Sequence, residues 1–124
     1  MEKELTVKQL HRKIHVYVKK WKAKLYLWSW RIEFKILDWI SPTENTAHGS
    51  NVAAKTWADW RYFKGNIDFS YFQLKDMDDK SIERIVIHEM LHIVVNEMRY
   101  EGIEHEERVV SHISSILGNI EGIL

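Results

Sequence analysis

The chain has 124 residues, 45% of them hydrophobic and 29% charged, with 18 basic and 18 acidic side chains and no cysteine. That length accommodates one domain (1–124) with its own core, and the missing cysteines exclude disulfides and thiolate metal sites and make a reducing cytoplasm the default compartment. No stretch approaches the roughly 20 apolar residues of a membrane helix, and the start, MEKELTVKQLHRK, lacks the apolar run of an export signal, so a cytoplasmic protein without a membrane partner is expected.

Charge is unevenly spread. Residues 1–24 carry eight Lys/Arg against two Glu, and residues 76–124 carry four Lys/Arg against eleven Asp/Glu. A nucleic-acid face would produce this asymmetry, and so would mutual attraction between the two ends of one domain. The basic residues share their segment with an apolar stripe, which favours the second explanation, and nucleic acid is not expected as a partner.

In chain order, Val7, Leu10, Ile14, Tyr17, Val18 and Trp21 recur at three- and four-residue spacing within residues 4–23, with lysines and Arg12 between them. This predicts an amphipathic helix with a basic outer face. From Trp28 to Ile36 the period becomes two, as in a half-buried strand. A polar loop, SPTENTAHGSN, contains the only proline. Two more strands are expected in VAAKTWADWRY and NIDFSYFQL, reversing at FKGN through Gly65-Asn66. DDKSIERIVIHEMLHIVVNEMRYEG then reads as a helix that stops near Gly102, and Val109, Val110, Ile113, Ile116, Leu117 and Ile120 mark a last helix. The fold class is therefore α+β. The six tryptophans are expected in the core.

Within IVIHEMLHIVV, residues 85–95, only His88, Glu89 and His92 are not strongly apolar. On a helix His88 and His92 lie about one turn apart on the same face and can share one ion. Glu89 projects about 100° away, near such an ion without binding it. There it can act as a general base towards a water that the metal has acidified, the H-E-x-x-H arrangement of zinc hydrolases. Random order would produce the motif in about 4% of chains with 7 His and 12 Glu. The apolar setting argues against accident. Each buried polar side chain without a partner costs about 1–3 kcal/mol, and one divalent cation would serve all of them.

A catalytic zinc usually takes three protein ligands. Downstream, EGIEHEERVVSHISSIL offers Glu106 and Glu107, with His105 and His112 as competitors. Glu106 stands three, four and seven residues before Val109, Val110 and Ile113, so helix periodicity puts it on the apolar face and selects it. Tyr100 is an oxyanion candidate whose simpler role is packing.

His88-Glu89-Met90-Leu91-His92, with a glutamate on the following helix, resembles the gluzincin branch of the zincin metallopeptidases. The order of helix, three strands and two helices is similar to a minimal zincin-like domain, as in small phage- and prophage-borne HExxH proteins and ImmA/IrrE-type or SprT-like peptidases. The resemblance implies one Zn²⁺, cleavage of a protein or peptide substrate, and Glu89 as the catalytic base. It also implies that an edge strand before the active-site helix, in the place of NIDFSYFQL, pairs with an extended peptide. In the ImmA/IrrE-type families the ligand glutamate is followed three and four residues on by a small residue and a small polar one. Glu107 meets that spacing with Val110 and Ser111, which stand for the more usual alanine and asparagine. Periodicity and family spacing thus differ by one residue, and Glu107 is preferred to Glu106. A three-histidine, SprT-like site would use His105 instead. The rival expectation is a binding or regulatory module of the same fold, with structural zinc or no protease activity, or one associated with nucleic acid through the basic first helix as the SprT-like resemblance would imply. Retention of Glu89 opposes it, since a structural site has no use for a general base.

Overall fold

A computed structural model describes residues 4–40, 52–96 and 106–122. The described elements are α1 (Val7–Lys24), β1 (Arg31–Leu37), β2 (Ala54–Asp59), β3 (Lys64–Ser70), the short α2 (Tyr71–Leu74), α3 (Asp79–Val94) and α4 (Glu106–Ile120). The α+β layout of helix, three-stranded sheet and C-terminal helices is as expected. No helix among the described residues is long and apolar enough to cross a membrane.

Helix α1 starts at a capping box in which the Thr6 hydroxyl accepts from Gln9 N–H and the Gln9 side chain accepts from Thr6 N–H. Leu10, Ile14, Val18 and Trp21 form its buried stripe. Asp78 caps α3 by accepting from Ser81 N–H, and this pairing holds the Asp78 carboxyl below its usual range. The stripe of α1 meets Ile82, Val86, Ile87 and Met90 of α3 and Ile67 and Phe69 of β3 in one apolar cluster. The basic character of α1 is partly spent inside the molecule. Lys13 pairs with Asp79 at 2.7 Å, Lys24 pairs with Glu121 at 2.9 Å, and Lys20 reaches the buried Glu83 at 2.7 Å. The Trp21 indole N–H donates to the same Glu83 oxygen at 2.7 Å.

The sheet order is β1-β3-β2, with β1 parallel and β2 antiparallel to β3. One face carries Ile32, Phe34, Ile36, Ile67, Phe69 and, on β2, only Ala54, Thr56 and Ala58. The other carries Glu33, Lys35, Asn66, Lys55 and Trp57.

Four expectations are corrected by this arrangement. Gly65-Asn66 is not the reversal, because both residues lie inside β3. The chain turns at 60–63, where Phe63 takes a left-handed conformation (φ 52°) without the glycine or asparagine that advertises such a turn. NIDFSYFQL is not one strand, since Tyr71–Leu74 is helical, and β3 is central while β2 is the edge beside α3. The tryptophans are not uniformly core. Trp21 is buried, but Trp28, Trp39 and Trp57 are 67%, 57% and 53% exposed, Trp57 because the pleat of β2 turns it to solvent. Finally, α3 is capped at Val95 rather than running to Gly102, which lies outside the described residues together with SPTENTAHGSN, Tyr100 and His105.

Gly65 has a packing role. A Cβ there would lie 2.8 Å from Cδ1 and 3.2 Å from Cγ1 of Ile93, which is itself 1% exposed. The missing side chain lets α3 lie close on the sheet. Gly65→Ala is expected to destabilise the fold by about 1–3 kcal/mol through overpacking, and Gly65→Val by more. Urea denaturation checks this, and unchanged midpoints for both variants would refute the close-approach argument.

Candidate metal centre

The second half of α3 carries the polar cluster. Its register against the core turns Val86, Ile87, Met90 and Leu91 inward, and His88 and His92 emerge together towards α4. Their ring centroids are 5.0 Å apart at an interplanar angle of 71°. His88 Nε2 lies 2.5 Å from Glu107 Oε1, and His92 Nε2 lies 3.0 Å from Glu107 Oε2. One donor atom from each of His88, His92 and Glu107 lies within 4.8 Å of the others. Ligand atoms about 2.0–2.2 Å from one tetrahedral ion stand roughly 3.3–3.5 Å apart, so these three need only small adjustments to share a cation. Two imidazoles and a carboxylate are also the donor set that zinc accepts. The residues present fit such a metal.

Glu106 is placed differently. Its Oε2 lies 3.1 Å from Nδ1 of His92, and its side chain is 13% exposed against 69% for Glu107. Helix periodicity therefore identified the inward residue, while the family spacing identified the one that faces both imidazoles. His112 is exposed on α4 and is not part of the cluster.

Glu89 is buried, and its Oε1 accepts a hydrogen bond from the Thr56 hydroxyl at 2.7 Å. The main-chain oxygen of Glu89 is 3.3 Å from the same hydroxyl, whose single proton serves the shorter bond. Thr56 is the functional candidate that the sequence reading missed. It sits between Lys55 and the exposed Trp57, and treating Trp57 as core turns Thr56 outward. At the other end of the hairpin, Trp60 N–H donates to the side-chain oxygen of buried Asn96 at 3.0 Å, fastening the β2–β3 turn to the segment after α3.

The cluster is electrostatically coupled. Burial pushes the Glu89 carboxyl up, against the opposing pull of Thr56 and the two histidines. His92 is also raised. Burial alone would lower it, but the carboxylates of Glu107, Glu89 and Glu106 outweigh that. Glu107 is held far below the usual carboxylate range, chiefly by His88 and then by His92.

Comparison with protein-family models, curated proteins and solved structures finds nothing that matches this chain.

The paired shifts set a pH window for the metal-free protein. A raised His92 contributes stability that is complete below its ordinary value of 6.5 and is lost as pH rises through the folded value. A lowered Glu107 contributes stability that is complete above 4.5 and is lost as pH falls through its folded value. The contact therefore stabilises metal-free protein between about 4.5 and somewhat above 6.5, by an amount that solvent screening at exposed Glu107 keeps small. With chelator present, the parent should melt above Glu107→Gln at about pH 5.5, with the gap narrowing at about pH 8.5. A gap that widens on the alkaline side would contradict the assignment.

Proposed function

We propose that this chain is a zinc-dependent metallopeptidase of the zincin-like, gluzincin type, acting on a protein or peptide substrate. The observation that carries the proposal is the convergence of His88, His92 and Glu107 beside a buried glutamate, Glu89, one position along the same helix. His88, His92 and Glu107 would hold the ion. Zinc bound there would supply an acidified water and a polarised scissile carbonyl.

The protein's own residues supply the remainder. Glu89 takes the proton of the attacking water and passes it to the leaving amine. Its burial raises its basicity, and Thr56 holds the carboxylate in one orientation through Oε1, leaving Oε2 for the water. β2 forms a sheet edge beside α3, so an extended peptide can pair with its backbone and pass the cluster.

The rival, a binding module with structural zinc, is less well supported. Structural zinc sites are closed by protein ligands, whereas the carboxylate of Glu107 is 69% exposed and the His88 side chain 26%. An open site is what a substrate requires.

Metal analysis tests the proposal first. The parent should bind one zinc per chain, and His88→Ala or His92→Ala should abolish high-affinity binding. Glu89→Gln should keep its zinc and lose about 10²–10⁴-fold of any peptide hydrolysis, since an amide cannot relay the proton. Zinc retained by both histidine variants would place the metal elsewhere. A Glu89→Gln variant with full activity would show that hydrolysis does not run through this motif.

A further inference from the structure

The two adjacent glutamates at the start of α4 address opposite nitrogens of one imidazole. His92 directs Nε2 at Glu107 at 3.0 Å and Nδ1 at Glu106 at 3.1 Å. The ring nitrogens of an imidazole diverge, so a group bonded at Nδ1 cannot reach an ion held at Nε2. Glu106 is thereby excluded from the set that includes His88 Nε2, although it lies one residue from Glu107.

Its setting matches a second function. The side chains of His92 and Glu106 are 9% and 13% exposed, so their contact is largely shielded from water, unlike the contact of the open Glu107. A carboxylate is purely an acceptor, so Nδ1 facing Glu106 must carry the proton. Nε2 faces the carboxylate of Glu107 in the metal-free protein, and when it gives up its proton, as metal binding requires, its lone pair points to the side where His88 and Glu107 converge. A carboxylate behind a metal-binding imidazole selects the tautomer, fixes the ring plane and makes the imidazole a stronger donor.

We infer that Glu106 is the positioning residue of the metal centre: it binds no ion, but holds His92 in the Nδ1–H tautomer with Nε2 aimed at the site. This rests on the reading of His88, His92 and Glu107 as metal ligands. The adjacent pair divides the work between Glu107, exposed and turned to the ion, and Glu106, mostly covered and turned to the ring.

The test measures zinc affinity by competition with a chromophoric chelator, together with ¹H–¹⁵N correlation of the histidine rings in the zinc-loaded protein. The variants are Glu106→Gln, which is nearly isosteric, Glu106→Ala, and Glu107→Gln. The parent should show His92 as the Nδ1–H tautomer, with a slowly exchanging ring proton. Glu106→Gln and Glu106→Ala should still bind one zinc, with affinity lowered by about 10–100-fold, and that proton should exchange faster. Glu107→Gln should lose far more affinity. Parent affinity and an unchanged ring-proton signal in both Glu106 variants would overturn the inference while leaving the metal centre standing. So would a loss in Glu106→Gln as large as in Glu107→Gln, because Glu106 would then be a ligand. A parent that binds no zinc would instead overturn the metal centre, and this inference with it.

Discussion

The seating of α3 on the sheet governs where every polar group of the candidate site falls. Ile32, Gly65 and Ala58 face one another across the three strands, and Ile93 approaches at Gly65, where any Cβ would collide with it. With the helix held this close, Glu89 comes within hydrogen-bond reach of Thr56 on the edge strand, and the histidines emerge on the side open to α4. Interiors packed at crystal-like density transmit such a constraint efficiently. A small change in helix height would move Glu89 away from Thr56.

The same helix is held from its other side by opposite charge. Lys13 and Lys20 of α1 meet Asp79 and Glu83 of α3, and Lys24 meets Glu121 beyond α4. Exposed pairs of this kind contribute little individually, typically about 0–1 kcal/mol. Glu83 is different, because its buried carboxylate is shared by Lys20 and the Trp21 indole, and removal of either donor leaves it with less compensation. Part of the uneven charge along the chain is thus an internal match between α1 and the acidic C-terminal half.

Across the candidate site, burial changes over a few ångströms from Glu89 and Glu106, both shielded, to Glu107, which faces solvent. The gradient is one that the proposed hydrolysis would use. In that proposal a base would benefit from desolvation that raises its proton affinity, while the position where a substrate enters would have to remain open. The edge strand β2 completes this division by turning Thr56 to the interior and, among the described residues, pairing with a strand on one side alone.

Local spacing by itself determined the helices α1, α3 and α4, the placing of His88 and His92 on one face, and the inward turn of Glu106, because helical periodicity is a property of neighbouring residues. The identity of the strands was also legible, but their order was not. Nothing in NIDFSYFQL distinguishes a central from an edge position, since that depends on which strands arrive on either side of it. Gly65 resembled turn chemistry because the helix that needs its missing side chain is remote in sequence. Trp57 resembled core because hydrophobicity does not reveal which face of a pleated strand is covered. The positions of Glu106 and Glu107 separate only at the two nitrogens of His92, which meet them where α3 and α4 come together. Thr56 was hidden for the same reason: its partner lies 33 residues away and meets it only when the helix rests on the sheet.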